Sequence, residues 1–256
     1  MGLDTLSMKD LLASGVHFGH KVSRWNPKMR PFIFGKSNSV HIIDIKQTVK
    51  GLVKACRFAK NIAKRGDLIL FVGTKRQACN IVRTESKRCG MPYVSERWLG
   101  GSLTNYKTVR GRLKRLNEIE QWETDGTINR YTKKEISGIM REKRRLVRNL
   151  DGLRVMDRLP TAIVIVDPMH ERIAVDESNK IGAVAVALID TDGDPDRVDI
   201  AIPGNDDSMK VIQIIIGKIA DAVLDGKAEA IGTTQAIEPK TADQPAAAAA
   251  AAAAKA

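Results

Sequence analysis

Two histidines three residues apart, His17 and His20, and a run of aspartates from Asp190 to Asp207 are the groups in this chain best suited to hold a cation. Imidazole nitrogens combined with carboxylate oxygens suit zinc. On a helical turn the two histidines would share a face. Asp190 and Asp206 each follow an apolar run, so strand ends could carry them to one place. The expected set is His20, Asp190 and Asp206 around a structural zinc, with no cofactor required otherwise. The alternative is that the aspartates cap helices and turns while the histidines hydrogen-bond within the body. A calcium loop is excluded. Asp190, Asp192 and Asp194 open with the right spacing, but Pro195 stands where glycine is needed and Ala201 where the closing glutamate belongs.

Catalytic chemistry finds no comparable footing. GxGxxG and GxxxxGK[ST] are absent after every apolar run, and VGTKRQA (residues 72–78) has a single glycine. No serine or cysteine stands in a nucleophile motif. Cys56, Cys79 and Cys89 are widely spaced and form no CxxC, so they suggest neither a zinc finger nor a disulfide framework. Cys56 and Cys79 lie in helix-like stretches, where a thiol usually serves as a small buried hydrophobe. Neither an enzyme nor a small-molecule substrate is expected.

The larger chemical signal is positive charge. The 256 residues carry 42 Lys and Arg against 30 Asp and Glu, a formal net charge of +12. That charge is segregated. HKVSRWNPKMRPFIFGK (residues 20–36) holds five cations and no acid, and residues 75–115 hold eleven cations against Glu85 and Glu96. Residues 190–207 hold seven aspartates and one arginine. A structured polyanion is the natural partner of such a surface. No zinc finger, leucine zipper, clear helix-turn-helix or aromatic RNA-recognition signature is present, so the expected contacts are to phosphates and sugars, reading RNA shape. The candidate RNA contacts are Lys21, Arg24, Lys28 and Arg30, with Trp25 packing between their stems or against a base. A second set is Lys75, Arg76, Arg97, Lys107, Arg110 and Lys114. Trp98 is assigned to the core. Gly100-Gly101 would permit close approach of another chain or of RNA. Thr74 could cap the following helix and leave its N–H groups for a phosphate, or Gly73 could simply allow a tight turn.

The elements that must position these groups alternate between strand and helix. Residues 40–45 (VHIIDI), 68–72 (LILFV), 162–166 (AIVIV), 184–189 (VAVALI) and 200–202 read as strands; 47–64, 77–88, 171–179 and 208–224 read as helices. Nearly continuous apolar strands suit a parallel sheet covered on both faces, hence an α/β fold. Residues 106–150 break the rhythm. Val109, Leu113, Leu116, Ile119 and Trp122 share one helical face. After a turn near Asp125-Gly126, Ile136, Ile139, Met140, Leu146, Val147 and Leu150 repeat the pattern. Narrow stripes among charged faces predict an antiparallel coiled-coil helical hairpin inserted into the body. The expected division is an α/β body of residues 1–105 and 151–225, the hairpin insertion at 106–150, and a disordered Ala-rich tail at 226–256. No apolar run approaches a membrane span and no signal peptide opens the chain, so no membrane partner and a cytoplasmic setting are expected.

Five blocks then become specific: GVHFGH (residues 15–20), RWNPKM (24–29), ILFVGTKRQA (69–78), RWLGGSLTN (97–105) and IPGNDD (202–207). In order, over about residues 7–225, they resemble the ribosomal protein S2 family, the second protein of the bacterial small ribosomal subunit. The resemblance implies a flavodoxin-like parallel sheet flanked by helices and carrying the hairpin. It implies a ribosome-bound seat between head and body, against small-subunit ribosomal RNA. It also implies contact with other small-subunit proteins, including the mRNA-binding first protein, and a role in translation initiation. Gly193 stands where the family often carries a polar residue, and the alanine tail lies outside the resemblance.

Overall fold

A computed structural model describes residues 8–235, with side chains through residue 230. The chain opens with α1 (Met8–Ser14), β1 (Phe18–Lys21), β2 (Ile33–Ser37) and β3 (Val40–Ile43). Then come α2 (Ile45–Lys64), β4 (Ile69–Val72), α3 (Cys79–Cys89) and β5 (Tyr93–Val94). Next are α4 (Tyr106–Thr124), α5 (Lys133–Leu150), β6 (Ala162–Val166) and α6 (Arg172–Ile181). β7 (Val184–Ile189), β8 (Ile200–Pro203) and α7 (Met209–Gln235) close the described part.

β4 to β8 form a five-stranded sheet in the order β5-β4-β6-β7-β8, every pair parallel. Counted from β4, this is the 2-1-3-4-5 order of flavodoxin-like folds. The apolar strands are buried on both faces because their residues alternate. Ile69, Phe71, Val164, Val186 and Leu188 pack with α2, α3 and α7, whereas Leu70, Val72, Ile163, Ile165, Ala187 and Ile189 pack toward α4, α5 and α6. Gly51 lets α2 press onto β8, since a Cβ there would stand 2.5 Å from the Ala201 carbonyl oxygen.

Strands 162–166 and 184–189 match the sequence reading to the residue. The antiparallel sheet β1-β3-β2 does not. VHIIDI supplies β3 of this small sheet, not a strand of the parallel one. Its two partners are short and carry glycine and lysine, which hides their alternation. Asn38 and Ser39, both at positive φ, make the tight β2–β3 turn. A second difference lies in α7. It runs beyond Leu224 to Gln235, because Gly226 lets it pack on α2, with room for no Cβ beside the Lys60 carbonyl. The first ten positions of the expected tail are therefore helical, and residues 236–256 lie outside the described part.

Between residues 106 and 150 the two expected helices are present as α4 and α5, joined through Gly126 at positive φ. A capping box at Thr132 and Glu135 starts α5. Val109, Leu113, Leu116 and Ile119 of α4 and Leu146 and Leu150 of α5 are buried in the cluster that continues onto the sheet. Glu123 pairs with Lys143, and Arg115 with Glu142 across 3.6 Å. Among the described residues no helix is long and apolar enough to cross a membrane.

Candidate functional site

Open parallel sheets gather functional groups beyond the carboxyl ends of their strands, at the point where strand order reverses. Here that point lies between β4 and β6. Three of the sequence blocks meet along this edge. The segment after β4 contributes Gly73, Thr74 and Lys75; Asp167 follows β6, Asp190 follows β7, and β8 leads to Asp206 and Asp207. His20 reaches in from β1.

The expected RNA contact Lys75 is instead enclosed by carboxylates. Its Nζ lies 2.6 Å from Asp206, 2.7 Å from Asp207 and 3.4 Å from Asp167. Burial works against its charge, but the Asp206 and Asp207 hydrogen bonds more than offset this and hold its pKa above the usual lysine range. Burial and the neighbouring Asp167 charge push Asp206 up to about 7. Thr74 caps no helix. Its N–H and hydroxyl both donate to Glu171, at 2.8 and 2.5 Å, and the residue that precedes α3, Ala78, offers no side-chain cap. Gly73 serves packing, since a Cβ there would meet Val82 at 2.9 Å.

His20, Asp190 and Asp206 do come together, each offering one ligand atom within 4.8 Å of the others. His20 Nδ1 lies 2.8 Å from Asp190, whose hydrogen bond raises the imidazole to about 9. His17 is not part of the group. It precedes β1 instead of sharing a helical turn with His20, and its ring rests against Phe18. The segment carrying His20 is fastened by Thr191, which accepts from the His20 N–H through its hydroxyl and from the Asn26 N–H through its carbonyl, at 2.9 and 2.8 Å.

The block 97–105 also turns inward. Trp98 is buried, and its indole N–H donates to Glu177, as do the backbone N–H groups of Gly101, Leu103 and Thr104. Burial opposes the Glu177 charge, but these donors outweigh it and hold the carboxyl below its ordinary value. The close approach that Gly101 allows, at φ +87°, is thus to a carboxylate of the same chain. Sequence reasoning missed Glu177, since nothing around a lone acid in a helix marks it as the anchor of a loop over seventy residues away.

The other candidates face outward. Lys21, Arg24, Arg30, Arg76, Arg97, Lys107 and Lys114 are exposed and make no ion pair among the described residues. Arg110 is exposed, 3.5 Å from the Asp157 carbonyl. Lys28 is half-exposed and shared between Asp194 and Asp196, at 3.0 and 2.8 Å. Trp25 leans on His41, ring centroids 5.1 Å apart. Cys56 and Cys89 are buried, and burial pushes their thiols up to about 12 and about 11.

The chain is thus an α/β protein with a flavodoxin-like sheet, whose edge is occupied by its own ion pairs and whose exposed arginines and lysines lie outside it. Residues 11–226 match ribosomal protein S2, and the chain belongs to that family. It is similar to the small ribosomal subunit protein uS2 of Rhodopirellula baltica, 53% identical over 222 residues that cover 87% of this chain and 85% of that protein. It is accordingly a ribosome-associated, structural protein of the small subunit, part of the ribonucleoprotein that carries out translation, and not an enzyme.

Proposed function

We propose that the chain binds small-subunit ribosomal RNA between head and body, helps to dock the mRNA-binding first protein, and thereby supports translation initiation in the cytoplasm. In this reading α4 and α5 form a coiled-coil hairpin projecting from the body of residues 1–105 and 151–225. The RNA contacts are Lys21, Arg24, Arg30, Arg76, Arg97, Lys107, Arg110 and Lys114, with a smaller share from Lys28 and Trp25. The observation that supports this is the division of charge: these cations are exposed, whereas Lys75 is enclosed by aspartates. A cation without an internal partner is available to a phosphate and releases condensed counterions when it binds one.

A tagged chain sedimented from lysate through sucrose should co-migrate with the small subunit and the full ribosome at moderate salt, and be partly released at high salt. Migration only at the top of the gradient at both salts would instead describe an RNA-binding regulator that works off the ribosome.

A structural zinc held by His20, Asp190 and Asp206 belongs to the same proposal. One nitrogen and two carboxylate ligands suit zinc, and their convergence from β1, β7 and β8 would tie the small sheet to the large one. Metal analysis of chelator-washed protein should find stoichiometric zinc, and His20→Asn should lose it. Wild-type protein without zinc would leave the aspartates as partners of Lys75, His20 and Thr191.

A further inference from the structure

α5 carries a feature that the contacts proposed above do not use. Lys134, Arg141, Arg144, Arg145 and Arg148 fall on one face at 3.6 residues per turn, opposite the face of Ile139, Leu146 and Leu150. All five are exposed, and none forms an ion pair among the described residues. Arg141 with Arg145, and Arg144 with Arg148, are like charges four apart, an arrangement that destabilises an isolated helix. From Lys134 to Arg148 the track covers 15 residues, roughly 21 Å of helix.

Its inner end opens on a cleft of about 280 Å³ between α3, β5 and the end of α5, lined by Arg148, Lys87, Arg83 and Asn149 among others. The acids of this cleft are already held: Glu96 by Arg83 at 2.5 Å, and Asp151 by Arg154 at 3.0 Å. Lys87, 5.9 Å from the centre of the Tyr93 ring, and Arg148 have no such partner. The side-chain oxygen of Asn149 is buried without a hydrogen-bond partner.

We infer that this face of α5 is a second RNA-binding surface, which lies along the backbone of an RNA stem and seats one nucleotide's backbone in the cleft. Arginines in a row match phosphates in a row, and guanidinium forks bind phosphate oxygens bidentately. Lys87 and Arg148 take the phosphate in the cleft, and the ribose 2′-hydroxyl donates to the Asn149 oxygen. That last contact is closed to DNA. The inference rests on the RNA-binding function proposed above and adds a surface to it.

The test uses the full chain with an RNA stem-loop and a DNA stem-loop of the same sequence, titrated across a salt series. Arg144→Ala/Arg145→Ala/Arg148→Ala should lower the slope of log affinity against log salt by roughly two to three, near one per lost phosphate contact. Replacing the same three by lysine should retain most of the slope. Lys87→Ala, at an exposed position, should weaken RNA binding by severalfold, and Asn149→Ala should narrow the preference for RNA over DNA. A wild-type chain that binds no RNA would sink the proposed function itself. A wild-type chain that binds RNA, with the triple alanine variant unchanged in slope, would overturn the α5 surface alone. So would a triple variant that loses binding to polyglutamate but not to RNA, since the face would then serve an acidic protein.

Discussion

Glu177→Ala should lower the stability of the chain by about 3–5 kcal/mol, the range seen when one member of a buried charged network is removed. The carboxylate is 5% exposed and accepts from the Trp98 indole and from the backbone N–H groups of Gly101, Leu103 and Thr104. Alanine leaves the buried donors among them, the Trp98 indole and the Leu103 N–H, without their acceptor. At an urea dependence of about 2 kcal/mol/M the unfolding midpoint should fall by roughly 2 M. Glu177→Gln keeps one acceptor oxygen and should fall between. The folded carboxyl sits below its ordinary value, so its contribution is present above the unfolded pKa of about 4.3 and is lost as pH falls through the lower folded value. The gap between wild type and Glu177→Gln should therefore narrow under acid. A midpoint within 0.5 M of wild type, roughly 1 kcal/mol, would show that the loop does not depend on this acid.

Lys75→Met should cost about 3 kcal/mol while leaving the salt dependence of RNA binding unchanged. Methionine fills similar space but leaves Asp206, 1% exposed, with Asp167 and Asp190 close by and without the ammonium that lay 2.6 Å from it; the His20 imidazolium stays on Asp190. Three carboxylates converging with one cation fewer repel one another, and removing one partner of a buried pair is costly. The reading from sequence, in which Lys75 touches RNA, makes the opposite forecast of intact stability and a flatter salt slope. Urea unfolding and RNA titration of the one variant separate the two.

The fate of Lys75 shows where the sequence stops being legible. The strand at residues 162–166 is visible because alternation is not needed when both faces are buried: AIVIV is apolar throughout. The helices at 106–150 are visible because their apolar stripes are narrow and regular. A lysine in VGTKRQA carries no local mark of its partners, since Asp167 is 92 residues away and Asp206 is 131. Charge counts along the chain therefore overstate the charge that a folded surface offers. Asp190 and Asp206 were legible because each follows a strand whose end the fold class places at one edge, whereas His20 sits in β1, a strand the sequence did not mark. The arginine face of α5 went unread, although the spacing of REKRRLVR carries it once the apolar stripe fixes which side points outward.

Thr191 holds the N-terminal sheet to the body across 171 residues of chain. On a ribosome adding about 5–20 residues per second, the His20 segment emerges roughly 9–34 s before its anchor is made. Throughout that interval Lys21, Arg24, Lys28 and Arg30 belong to a basic segment that can pair with β3 but is not yet fastened to the parallel sheet. The nascent chain thus has a window in which its strongest acid-free segment is open to any polyanion nearby. That window closes when the residue after Asp190 is joined to the chain and the seventh strand is laid down.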